Sequence, residues 1–132
     1  MKYMLDTNTC IFLMKNYPGV VSRFRQNRIF GVSISAITAS ELYFGVYNSS
    51  MPEQNAGNLV NFLIGVTVLD FGGSAADCYG KIRAALKRKG MLIGGLDMLI
   101  AAHAKSAGLV LVTNNTCEFE RVDGLKLEDW LD

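Results

Sequence analysis

Leu109-Val110-Leu111-Val112-Thr113-Asn114-Asn115 passes from four consecutive apolar residues into a hydroxyl and two amides. A short, continuously apolar run ended by turn formers reads as a parallel strand covered on both faces. The same pattern opens the chain, where Tyr3-Met4-Leu5 ends at Asp6-Thr7-Asn8-Thr9. Outward from these two, Ile29 to Ile34 and Val66 to Leu69 read as further strands, and Leu125 to Leu127 as a short last one. Helical patterns fill the intervals: Cys10 to Lys15, Pro18 to Asn27, Pro52 to Ile64 and Gly94 to Ala107. Thr38-Ala39-Ser40-Glu41 has the form of a helix-starting capping box. Ser74 opens the clearest helix, with Cys78, Tyr79, Ile82, Ala85 and Leu86 as its apolar stripe and Gly90 as its stop. Strands alternating with helices predict an α/β fold, a central mainly parallel sheet of four to five strands flanked by helices. No internal repeat or linker-like stretch interrupts it, so residues 1–132 read as one domain.

Composition narrows the function. Half of the 132 residues are hydrophobic, enough for a core without disulfide staples. Thirteen basic residues nearly balance twelve acidic ones, so total charge does not announce nucleic acid, and any such role must rest on a site. Cys10, Cys78 and Cys117 are odd in number and form no C-x-x-C pair, which argues against a disulfide framework or structural zinc. Asp6 interrupts the first apolar run before a secretory signal can build, and nothing approaches the ~18 apolar residues of a membrane span. The expectation is a cytoplasmic protein without a membrane partner.

The acidic residues carry the chemistry. Asp6 and Glu118 follow the carboxyl ends of the two best strands, the edge where open parallel sheets bind ligands. Glu41 and Asp97 lie near helix N-termini that would open into the same crevice. Asp6, Glu41, Asp97 and Glu118 are therefore expected in one pocket. Two like charges ~4 Å apart repel by about 4 kcal/mol at an effective dielectric of ~20, so such a cluster calls for protons or a cation. Oxygen donors without thiolate or imidazole select hard ions, Mg2+ or Mn2+. The one histidine, His103, falls on another face of the helix that Asp97 begins. A carboxylate-held dication suits hydrolysis of a phosphodiester by activated water, with Asn8, Thr113 and Asn115 steadying the carboxylates. Taken singly, each acid has an ordinary role: Asp6 and Asn115 as turn formers, Glu41 as the partner of Thr38, Asp97 as a first-turn acid, Glu118 as solvated surface. Their joint placement is what points to a site.

Four blocks then resemble the PIN-domain nucleases, in order and over almost the whole chain. They are Met4-Leu5-Asp6-Thr7-Asn8; Ser33 to Gly45 with its Glu41-Leu42-Tyr43-Phe44-Gly45 core; Ile93 to Ala101 around Asp97; and Leu111 to Phe119. Thr113-Asn114-Asn115-Thr116-Cys117-Glu118-Phe119 and the tail Glu128-Asp129-Trp130 resemble in particular the bacterial VapC toxins. That resemblance implies a metal-dependent endoribonuclease that halts translation, often by cutting transfer RNA. It makes Asp6 and Asp97 the principal metal ligands, with Glu41 and Glu118 completing a quartet. It also implies a homodimer, and a hetero-oligomer with a VapB-type antitoxin whose C-terminal segment occupies the groove. Many relatives carry aspartates where this chain has Asn115 and Glu118, which leaves open which of the two touches metal and whether one or two ions bind.

Two basic groups could meet RNA: Arg23, Arg25 and Arg28, and the helical set Lys81, Arg83, Lys87, Arg88 and Lys89. Within the second, Arg83, Lys87 and Arg88 are the expected RNA contacts, though cations at a helix C-terminus also suit its dipole. Tyr43, Phe44, Tyr47 and Met51, with Phe62 and Leu63, offer apolar surface for a dimer or antitoxin interface. Two other readings compete. A haloacid-dehalogenase-like phosphatase also starts with a strand ending in aspartate, but needs a second aspartate where Asn8 stands. A catalytically inactive PIN-fold binding module would have no reason to crowd four carboxylates.

Overall fold

A computed structural model describes residues 1–131; Asp132, the last residue of the expected domain, lies outside the described residues. The chain runs β1 (Tyr3–Leu5), α1 (Thr7–Met14), α2 (Pro18–Asn27), β2 (Val32–Ser35), α3 (Ala36–Tyr47), α4 (Pro52–Ile64) and β3 (Thr67–Leu69). It continues through α5 (Gly73–Arg88), α6 (Gly95–Ser106), β4 (Val110–Val112), α7 (Thr116–Phe119) and β5 (Lys126–Glu128). The five strands form one sheet in the order β3-β2-β1-β4-β5, every neighbouring pair parallel. Strand order reverses about β1, so the carboxyl ends of β1 and β4 flank the switch point where such sheets open a crevice.

Both faces of the sheet are covered, as the apolar strands require. On one face Met4 and Leu111 pack with Ile82 and Leu86 of α5, Ile100 and Ala104 of α6, and Phe119. On the other, Leu5, Ile34 and Val112 pack with Cys10, Val20, Leu42 and Leu59 from α1 to α4, and with Trp130. Trp130 closes that face edge-on to Tyr3, ring centroids 5.2 Å apart.

Four local expectations shift. The second strand begins at Val32 rather than Ile29, because Arg28–Phe30 wind into a 3-10 turn and Gly31 takes φ 89°. Only glycine adopts that conformation cheaply. The third helix starts at Ala36, capped by Ser35, whose hydroxyl accepts the Ile37 N–H at 3.1 Å. The Thr38–Glu41 capping box therefore does not form: Thr38 is buried with its hydroxyl unpartnered among the described residues, and Glu41 is released for other work. The first helix begins at Thr7 rather than Cys10, because Asp6 itself caps it. The expected last strand lies one residue later, at Lys126–Glu128.

Candidate active site

Asp6 ends β1 and caps α1, and its Oδ1 accepts the Thr9 N–H at 2.8 Å. Its backbone N–H donates to Val112 O at 3.0 Å, and the Thr9 hydroxyl donates to the same carbonyl at 3.1 Å. These bonds lock the first acid to the end of β4. Burial pushes the Asp6 carboxyl up, hydrogen bonds from Thr113 and Thr9 pull it down, and the Asp129 charge pushes it up again. A neighbour at the helix N-terminus is favourable for a carboxylate, so the local backbone accepts a charge that its surroundings resist.

Glu41 lies in the second turn of α3, where its Oε1 accepts the Thr7 hydroxyl at 2.7 Å. Thirty-four residues separate the two, and this charge-assisted bond fixes the α3 acid against the first turn of α1. Asp97 stands half-buried in the first turn of α6, whose N-cap position, Gly94, offers no side-chain cap. The carboxylate lies close over that position: a Cβ on Gly94 would meet the Asp97 Oδ2 at 3.5 Å, an ordinary packing distance. Burial raises the Asp97 carboxyl, and so do the charges of Asp6, Glu118 and Glu41, in that order. All four acids thus share one electrostatic field centred on Asp97.

Glu118 sits on the single turn of α7, held down by Phe119, which is 1% exposed. Its Oε2 accepts the Asn115 side-chain amide at 3.1 Å, and the Asn115 N–H donates to Thr113 Oγ1 at 3.0 Å. Thr113 thereby connects Asp6 to the segment that carries Glu118. Asn8, expected beside a carboxylate, is exposed, and no hydrogen bond joins it to any of the four among the described residues; Thr7 and Thr9 occupy that role instead. Neither threonine stood out in sequence, although both belong to the turn that follows the first strand.

No lysine or arginine forms an ion pair with these four carboxylates among the described residues. Among those residues, too, no three His, Cys, Asp or Glu side chains close into a coordinating group as they stand. The donor set is oxygen only, Asp6 and Asp97 are raised, and no ion pair among the described residues offsets it. That chemistry fits a hard divalent cation and fits zinc poorly. His103 is spent elsewhere: its Nδ1 lies 2.7 Å from Ser35 Oγ, and its ring meets Phe71 edge-on at 5.4 Å. Burial lowers its pKa against a backbone hydrogen bond with Asp70. The pair ties α6, which carries Asp97, to the cap of α3, which carries Glu41.

Of the expected RNA contacts, Arg83 donates to the Tyr79 hydroxyl at 2.9 Å, while Lys87 and Arg88 are exposed in the last turn of α5. Tyr43, Phe44, Tyr47 and Met51 are exposed, but Phe62 and Leu63 pack against the core. A cavity of about 740 Å³ opens among α1, α3 and α4, with Ile11, Met14, Leu42, Val46 and Phe62 in its wall and Glu41 at its margin. No helix among the described residues is long and apolar enough to cross a membrane.

Comparison with known proteins identifies the family of this fold. The PIN domain family model matches residues 3–125. The tRNA(fMet)-specific endonuclease VapC of Shigella flexneri is 49% identical over 98% of both chains. Ribonuclease VapC2 of Haemophilus influenzae is 46% identical over 99% of both. Among solved structures, VapBC from Salmonella typhimurium, bound to DNA, superposes with a TM-score of 0.94 at 48% identity over 98% of both chains. VapBC2 from Rickettsia felis, bound to a promoter DNA fragment, gives a TM-score of 0.94 at 38% identity, covering 98% of this chain and 99% of the other.

Proposed function

The chain belongs to the PIN-domain family, and on that premise we propose that it is a VapC-type toxin, an endoribonuclease that cuts transfer RNA and so inhibits translation. The observation that carries this reading is the raised Asp97 carboxyl, pushed up by burial and by three other acids from three separate segments. A fold gains no stability from gathering four uncompensated carboxylates, so the arrangement is there for a cation and a substrate.

Asp6 and Asp97 would hold the ion, Mg2+ or Mn2+, with Glu41 and Glu118 completing its surroundings directly or through water. Such an ion supplies positive charge against a phosphate and acidifies water, which makes hydroxide available near neutral pH. The chain's own groups supply orientation. Thr7 fixes the Glu41 carboxylate, Asn115 fixes Glu118, and Thr113 with the Thr9 N–H fixes Asp6. Hydrolysis forms one bond from water oxygen to phosphorus and breaks one ester bond, the departing alcohol oxygen taking a proton. No side chain becomes covalently attached, which separates this chemistry from the aspartyl-phosphate of the phosphatase reading.

The partner in this reading is a VapB-type antitoxin, in a hetero-oligomer built on a toxin homodimer in the cytoplasm. The cavity among α1, α3 and α4 suits an apolar antitoxin segment, and its Glu41 margin suits a basic side chain at the segment's end. The deciding experiment is cleavage of bulk transfer RNA by wild type, Asp6→Asn and Asp97→Asn, with Mg2+ or Mn2+ and with chelator. Cleavage should need the metal and fall at least about 100-fold in each variant. Metal-independent cutting, or RNA bound yet never cut, would remove the proposal; the second result would favour the inactive binding module.

A further inference from the structure

Away from the carboxylates, a groove of about 440 Å³ runs between α5 and the turn that follows α7. One wall is a single stripe of α5 and its C-cap, in which Asp77, Lys81, Ala85 and the capping Lys89 recur every fourth residue. Twelve residues at 1.5 Å each make it about 18 Å long. Lys105 of α6 and Arg121 line it opposite, together with Asp123. Four cations against two carboxylates leave the groove at +2, in a chain whose total is +1.

The cations are placed to receive anions. Lys81 pairs with Asp77 at 2.9 Å and Lys89 with Asp123 at 3.6 Å, but all four side chains are more than half exposed. Pairs so open to water hold weakly, so an incoming phosphate can take either lysine. Lys105 and Arg121 have no ion-pair partner among the described residues. The stem of Lys105 lies over Gly124, where a Cβ would come to 3.5 Å from Cε, an ordinary packing distance. Arg121 is also tied to the segment that leads into α6: its Nη1 donates to Leu92 O at 3.2 Å. Leu92 precedes Asp97 by five residues, and Arg121 follows Glu118 by three.

The acidic site repels a polyanion, and the nearly neutral chain offers it little general attraction, so RNA needs a local basic track. We propose that the groove along α5 holds the RNA sugar–phosphate backbone flanking the cleaved bond, through Lys81, Lys89, Lys105 and Arg121. The proposal rests on the ribonuclease reading above. It moves the RNA contact from Arg83, Lys87 and Arg88 to the stripe one side of them on the same helix.

The test compares Lys81→Gln/Lys105→Gln with Arg25→Gln/Arg28→Gln, which loses the same charge from around α2, on the opposite sheet face. Binding of bulk transfer RNA is read by anisotropy across a salt series, and steady-state cleavage of the same RNA is measured with Mg2+. The groove pair should raise KM about fivefold or more with kcat within twofold. It should also flatten the plot of log K against log salt by about 1.4, at ~0.7 per lost phosphate contact on a single strand. Conversely, Asp123→Asn frees Lys89 and should tighten binding severalfold, whereas Glu53→Gln, an equal charge change on α4, should not. Equal effects from both pairs, or an unchanged salt slope in the groove pair, would overturn the groove. Wild type that binds with the steep slope yet never cleaves would overturn the ribonuclease reading and leave the groove standing.

Discussion

Replacing Asp97 by asparagine removes one negative charge from a field shared with Asp6, Glu118 and Glu41. A like charge about 7 Å away costs ~0.6 kcal/mol in water and about four times that at an effective dielectric of 20. Asp97 is half-exposed, so the lower figure governs, and three neighbours together destabilise the metal-free fold by about 2 kcal/mol. Against this, a carboxylate in the first turn of α6 gains ~0.3–1 kcal/mol from the helix dipole. The balance leaves Asp97→Asn about 1 kcal/mol more stable than wild type in chelator. With ~2.1 cal/mol/K of unfolding entropy per residue over 132 residues, that raises Tm by about 3–4 °C. Saturating Mg2+ or Mn2+ inverts the order. At a hundred times its Kd the ion adds about 2.7 kcal/mol to wild type, roughly 10 °C, and far less to the variant. Thermal melts at pH 7.5 with chelator and with metal read both signs at once. A variant that melts at or below wild type in chelator, or metal shifts of equal size in the two proteins, would refute the electrostatic argument.

Three further outcomes follow from the same contacts. Both Asp6 and Asp97 are raised above the ordinary carboxyl value of 3.8, so the folded chain keeps protons that the unfolded chain releases. Their contribution therefore favours folding in acid and is lost as pH climbs from about 3.8 through the raised values; chelated wild type should lose stability relative to Asp97→Asn over that window, measured by melts from acid to neutral pH. Thr113→Val keeps the shape of a fully buried residue but removes a hydroxyl from Asp6 and an acceptor from the Asn115 N–H. It should cost about 1.5–3 kcal/mol in urea unfolding, and a wild-type midpoint would show that Asp6 does not depend on it. His103→Phe leaves the buried Ser35 hydroxyl with only the Ile37 N–H and should cost about 1–3 kcal/mol, with RNA cleavage falling as α3 and α6 loosen. His103→Asn, which retains an acceptor near the Nδ1 position, should recover part of both losses, and no recovery would mean that ring packing against Phe71 is what matters.

Local pattern alone carried much of this protein. Apolar runs ended by turn formers marked the strands. Periodicity marked α5 and α6, and the four acids stood out because each follows a strand or opens a helix. Errors came where neighbouring signals compete. Ser35 and Thr38 are both good caps, and the end of β2 decides for Ser35. Ile29 and Phe30 have strand-like side chains, but Gly31 sets a conformation that separates them from β2. Proximity belonged to the tertiary structure. Thr7 reaches Glu41 across thirty-four residues, Ser35 meets His103 across sixty-eight, and Thr9 bonds Val112 across one hundred and three. A sequence period reports which face of an element is apolar, not which element will lie beside it. Only the pairing of β1 with both β2 and β4 brings three chain segments to one edge, and a carboxylate's field falls off with distance through space rather than along the chain.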